Sequence, residues 1–190
     1  MKYIILCCLL FGLHTNAQQK ETHVKKSTVT YHSTLQGGIL KGETTSAFQL
    51  LHINGVQYKT WFGGIGVGID NYFMRTVPIF AEVRKDILNK RSTPFVYAGI
   101  GPQVMWLKEQ EKMQFVSADY NSGIYYRIGA GYKLSISQKH ALMIEAGYSL
   151  KKVNYTYNYV NPCLIGPCTE YKNNMDYTLR RLSFQLGFIF

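Results

Sequence analysis

Glu82, Arg127, Glu145 and Arg181 are the residues of this chain most able to do chemistry together. Each stands inside an apolar alternation: Ala81 and Val83 flank Glu82, Ile128 follows Arg127, Ile144 and Ala146 flank Glu145, and Leu182 follows Arg181. Alternation of period two sends neighbouring side chains to opposite faces of an extended strand. The four charges therefore fall on faces that the large apolar residues leave. Carboxylates and guanidiniums held away from water must pair, because removing one partner strands the other at ~3–5 kcal/mol. The expectation is one charge network of Glu82 and Glu145 with Arg127 and Arg181, with Gln103 and Gln185 helping to satisfy it. Arg84 and Lys133 share the same parity nearer strand ends, where water is expected to reach them.

Other chemistries find less support. The run Gly63-Gly64-Ile65-Gly66-Val67-Gly68 invites a phosphate-loop reading, but Ile69 stands where a G-x-G-x-x-G fingerprint needs its third glycine. Acyl transfer needs a serine or activated water beside a histidine that a third group orients. His23, His32, His52 and His140 fall in the N-terminal part or beside a short turn, away from the long polar connections. No catalytic residue, cofactor or metal site is expected, and the chain is read as no enzyme.

The elements that position these residues are strands. Eight segments alternate, over residues 34–41, 46–53, 59–69, 77–85, 95–107, 123–135, 140–153 and 177–190, and no helical period appears. In the first two, apolar residues occur at both parities. The best reach the ~9–11 residues that a tilted membrane-crossing strand requires. Asn54-Gly55 and Ser137-Gln138-Lys139 signal tight turns, whereas residues 108–121 and 154–176 form long, polar, tyrosine-rich connections. The last strand runs Leu182, Phe184, Leu186, Phe188, Phe190 on one parity and Ser183, Gln185, Gly187 on the other. A terminal greasy strand is an exposed edge unless a barrel closes on it and lipid covers its aromatic row. These patterns predict an all-β fold, an eight-stranded antiparallel transmembrane β-barrel. Trp61, Trp106, Tyr126 and Tyr132 fall near strand ends as interfacial aromatics. An eight-stranded barrel has an interior that side chains fill. The period-two glycines Gly64, Gly66, Gly68, Gly99, Gly101, Gly129 and Gly131 make room there for Tyr97, Tyr125, Arg127 and Arg181.

The N-terminus agrees with export. Lys2, an apolar run over residues 3–13 and Thr15-Asn16-Ala17 have the layout of a secretory signal peptide cleaved after Ala17. The expected organisation is a signal peptide at 1–17, an N-terminal periplasmic segment at 18–33 and the barrel at 34–190. Cys163 and Cys168, which flank Leu164-Ile165-Gly166-Pro167, are then expected to form a disulfide in an oxidising compartment. The formal charge of +10 is dispersed along the chain without a basic helix, which argues against a nucleic-acid partner.

The signal peptide, the eight alternating segments and the terminal Phe184, Leu186, Phe188 and Phe190 resemble the small outer-membrane β-barrel family that includes OmpA-type and OmpX-type proteins. Phe190 is similar to the family's assembly signal, which ends on an aromatic. The resemblance implies the outer membrane of a Gram-negative bacterium, contact with outer-membrane lipid and lipopolysaccharide, and recognition of the C-terminal strand by the assembly machinery. OmpA-type relatives often add a periplasmic peptidoglycan-binding domain, and this chain ends at its eighth strand. A charged lumen is also a family feature. The function expected is structural, adhesive or surface-interacting, through long extracellular loops that meet an unknown ligand. The alternative is a small porin for ions or solutes, and a lipid A-modifying enzyme is the weaker third.

Overall fold

Among the described residues every regular element is a strand, and each of the eight staves they form finds two neighbours. The computed structural model describes residues 29–71, 75–106, 117–121, 123–137, 139–160 and 170–190. The strands are β1 Val29–Lys41, β2 Ser46–Tyr58, β3 Trp61–Asn71, β4 Arg75–Asp86, β5 Thr93–Met105, β6 Ser117–Asn121, β7 Gly123–Ser135, β8 Ala141–Val160 and β9 Glu170–Ile189. All pair antiparallel, and β6 and β7 both pair with β8 as successive stretches of one stave. Pairing of β9 with both β8 and β1 closes an eight-staved barrel. Ser33 and Phe190 add two backbone hydrogen bonds of 2.9 and 3.0 Å to that seam.

Closure carries a stagger. From Thr30 the partners run Gln57, Phe62, Arg84, Tyr97, Gly129, Gly147, Ser183 and back to β1 at Leu40, ten residues beyond the start. With ~4.7 Å between strands and ~3.3 Å per residue, that shear tilts the staves by roughly 40° and sets a backbone radius of about 8 Å. Such a cylinder holds side chains and little else.

The wall has two faces with opposite chemistry. Outward stand Ile65, Val67, Ile79, Val83, Ile100, Ile128, Ile144, Leu182, Phe184 and Leu186, all exposed to the surroundings. Trp61, Trp106, Tyr126 and Tyr132 are exposed on the same outer face. Inward, two apolar clusters fill the cylinder: Leu51, Ile53, Phe62, Phe80 and Tyr125, and Phe95, Tyr97, Ala141, Met143 and Ile189. Phe80 and Tyr125 meet edge to face with ring centroids 5.4 Å apart.

Several boundaries differ from the sequence expectation. Asn54-Gly55 is not a turn: it lies inside β2, which continues to Tyr58. The chain reverses instead at Lys59-Thr60, where Lys59 has φ 55°. Gly55 serves a close approach, since a Cβ there would stand 2.6 Å from Gly64 Cα. β1 opens at Val29, so residues 29–33 belong to the wall. The long connections are also shorter than expected, because β8 and β9 pair as far as Val160 and Glu170, and β6 joins β8 beside them. Their tyrosines and threonines suit extended backbone once a partner strand is at hand. The barrel thus has a turn end, at Lys59, residues 87–92 and residues 136, 137, 139 and 140, and an extension end. Cys163 and Cys168 lie outside the described residues.

The inner glycines are where this packing is most exposed to test. Tyr97 Oη lies against Gly129 and Gly147, and a Cβ on Gly129 would stand 2.6 Å from it. Gly147→Val is expected to overpack the interior and cost about 1–3 kcal/mol in urea unfolding from lipid vesicles. Adding Tyr97→Ala should recover part of that loss; an unchanged midpoint for Gly147→Val alone would sink the packed-interior account.

Candidate functional site in the barrel interior

The inward parity of β4, β7 and β8 brings Glu82, Arg84, Arg127 and Glu145 to one level of the lumen, all buried. Arg127 Nη2 donates to Glu145 Oε2 at 2.8 Å, and its Nη1 lies 3.3 Å from Glu82 Oε2. Arg84 Nη2 donates to Glu82 Oε1 at 2.8 Å and stands 3.5 Å from Glu145 Oε1. Two carboxylates and two guanidiniums therefore form a closed quartet with no net charge.

Amides complete it. Gln36 Nε2 donates to Glu145 Oε1 at 2.8 Å while its Oε1 accepts from Arg127 at 3.2 and 3.3 Å. Gln185 Oε1 accepts from Arg127 Nη2 at 3.4 Å, and Gln185 Nε2 donates to Gln49 Oε1 at 2.5 Å. Aromatic faces stand against the cations: Arg84 lies over Phe62 and Phe95 at 5.2 and 4.9 Å, and Arg127 over Phe80 and Tyr97 at 5.5 and 4.5 Å. A guanidinium tolerates this because it is weakly hydrated and attracted to the ring face.

Gln49 links the quartet to a second level toward the extension end. It donates to Asp70 Oδ2 at 3.0 Å, and Asp70 accepts from Thr76 Oγ1 at 2.7 Å and from Lys151 Nζ at 2.5 Å. Toward the turn end, Lys133 pairs with Asp86, which also accepts from Gln57 Nε2 at 3.0 Å. The lumen thus holds three charge-balanced levels.

Of the residues singled out in the sequence, Glu82, Arg127, Glu145 and Gln185 meet here. Arg181 is placed elsewhere: it donates to Thr45 O at 3.1 Å and to Thr45 Oγ1 at 3.0 Å, beside the β1–β2 turn. Gln103 donates to Lys152 O at 3.1 Å, near the extension end. Arg84, expected in water, is 4 % exposed and belongs to the quartet. The sequence reading missed Gln36 and Gln49, because Leu40, Leu51 and Ile53 put apolar residues on the inner parity of β1 and β2. Asp70 and Lys151 were legible in principle, since they continue the inner parity of Gly64-Gly66-Gly68 and of Glu145-Gly147-Ser149. Among the described residues no group of three or more His, Cys, Asp or Glu is gathered to hold a metal. What the arrangement offers chemically is mutual neutralisation of buried charge.

No family model and no curated protein matches this sequence. Solved structures do match its fold. Outer membrane protein OprG from Pseudomonas aeruginosa superposes with a TM-score of 0.56 at 11% identity, covering 90% of this chain and 99% of that one. Neisserial surface protein A superposes with a TM-score of 0.52 at 13% identity, covering 86% and 96%. At such identities the likeness is one of fold: a closed, eight-stranded antiparallel barrel.

The quartet predicts strong coupling between its members. Arg127→Met is expected to destabilise the barrel by about 3–5 kcal/mol, because two buried carboxylates then share one guanidinium. Combining it with Glu145→Gln should cost clearly less than the two single losses added together. Additive losses in a double-mutant cycle, read from urea midpoints in vesicles, would refute the coupling.

Proposed function

We propose that this chain is an integral outer-membrane barrel of a Gram-negative bacterium, with a structural, adhesive or surface-interacting role and a lumen that does not conduct. One observation carries the reading: a continuous apolar outer wall encloses an interior filled by aromatic rings and self-neutralised charge. In hydrocarbon every backbone polar group must be bonded internally, and a closed barrel achieves this. The barrel's turn end then faces the periplasm and its extension end the outside, in keeping with short periplasmic turns. OprG and neisserial surface protein A, an outer membrane protein and a surface protein, support the same compartment by likeness of fold.

The remaining parts of the proposal follow from that location. Residues 1–17 serve as a cleaved signal peptide, and the Phe184, Leu186, Phe188, Phe190 face is the assembly signal. Outer-membrane lipid and lipopolysaccharide cover the wall. Cys163 and Cys168 are oxidised to a disulfide, and the outer connections meet a surface ligand.

A non-enzymatic role is part of the proposal. Ser33 Oγ and His52 Nε2 stand 2.9 Å apart, a pair that acyl transfer could use. However, Ser33 is only 6% exposed, and among the described residues no carboxylate or amide hydrogen-bonds His52 to orient it. This pair satisfies two polar groups on an apolar wall.

Conductance in a planar bilayer decides between a closed and an open lumen. Refolded protein, verified by the gel shift between boiled and unboiled samples, is expected to give no steady current. Steady current from a verified barrel would replace this proposal with a small porin.

A further inference from the structure

The turn end carries a feature that the lumenal network leaves unused. A cleft of about 140 Å³ opens there, lined by His32, Arg91, Lys133, Ser137, Lys139 and His140 among others. Arg91 and Lys139 come from two turns that the fold ties together, since Ser135 N donates to Ser92 Oγ at 3.2 Å. Lys133 is engaged by Asp86. Among the described residues, the Arg91 guanidinium and the Lys139 ammonium have no side-chain partner. Ser137 Oγ accepts from Lys139 N and His140 N at 3.3 and 3.2 Å, which leaves its hydroxyl proton to donate elsewhere. The surrounding rim has the same sign: Lys59, Lys85 and Lys90 stand at this end, and Asp86 is the one acidic side chain there among the described residues.

Charge, donors and shape point to one ligand chemistry. Guanidinium, ammonium and hydroxyl donors converging on a cleft match a phosphate oxyanion, which accepts charge-assisted hydrogen bonds on several oxygens. The cleft opens at the turn-end mouth of the lumen, where His32, Gln57, Lys133 and Ile189 carry the inner parity. It reaches the outer wall at His140, which stacks on outward-facing Phe188 with centroids 5.7 Å apart. Beside it on the rim, Lys85 Nζ lies 4.6 Å over the Trp61 ring, and Lys59 Nζ 5.4 Å over Tyr58. Aromatic rings and basic side chains at a wall's edge mark the depth of lipid head groups. We propose that this cleft binds the phosphate of an anionic phospholipid in the leaflet at the turn end, with Arg91 and Lys139 as its principal contacts. The proposal rests on the membrane reading above.

The test uses the full barrel folded in neutral detergent and confirmed by its gel shift, so failure to fold or to insert counts against the membrane reading alone. Short-chain phosphatidylglycerol and inorganic phosphate are titrated separately while arginine and lysine side-chain resonances are followed. Phosphatidylglycerol is expected to shift Arg91 and Lys139 saturably, and Arg91→Gln with Lys139→Gln to weaken binding about tenfold or more. Lys90→Gln, on the same turn but outside the cleft, should bind as the parent does. An equal or tighter response to inorganic phosphate would overturn the lipid as source. The proposal also fails if neither anion shifts these residues, or if Lys90→Gln weakens binding as much as the cleft variants.

Discussion

Closure of the hydrogen-bonded ring between β9 and β1 is the constraint from which the rest of this structure follows. An unpaired edge strand would present a row of unsatisfied backbone donors and acceptors, and the last strand removes that edge by pairing with the first. It does so with a ten-residue stagger, from Thr30 round to Leu40. Strand number and stagger together fix the radius. The radius then dictates composition: a cylinder this narrow has no space for a large side chain at every inner position. Glycine therefore recurs beside Phe80 and Tyr97, as at Gly66, Gly129 and Gly147.

The same narrowness explains the charges. An inner face this crowded excludes bulk water, so a charge there survives only among partners. The protein meets that demand by balance at each level, with Glu82 and Glu145 against Arg84 and Arg127, Asp70 against Lys151, and Asp86 against Lys133. Gln49 and Gln185 connect the first two of these, so those two levels form one bonded network crossing strands far apart in sequence. Such a network resists sliding of one stave against another, because a shift of two residues would break a charge pair while leaving the apolar outer face intact. Register is thereby specified from inside as well as by the backbone.

Parity was legible in the sequence, and depth was not. Alternation alone puts Ile65, Ile100, Ile128 and Leu186 outside and Glu82, Arg127, Glu145 and Gln185 inside, because a strand's faces are a local property. Which inner residues stand at one level depends on the stagger, and the stagger is a property of the closed ring. Arg181 shares the parity of Gln185 but sits four residues nearer the extension end, so it reaches Thr45. Arg84 lies only two residues from Glu82 and bends back to it across the aromatic faces of Phe62 and Phe95. Asn54-Gly55 misled for a related reason. A turn dipeptide and a close-approach glycine look alike until the facing strand, with Gly63 and Gly64, is in place.

The interior resolves its charges, whereas the turn-end rim leaves some unresolved. Within the wall, every guanidinium or ammonium named in the three levels has a carboxylate within reach. At the turn end the sequence places Lys59, Lys85, Lys90, Arg91 and Lys139 with Asp86 already bound to Lys133 and Gln57. Surface cations in water tolerate solvation, so their number alone says little. The convergence of Arg91 and Lys139 on one cleft, across two turns joined through Ser92 and Ser135, is a matter of geometry and sets this rim apart from a merely solvated one. A barrel that spends its inner charges on its own closure has only its ends left for recognising anything else.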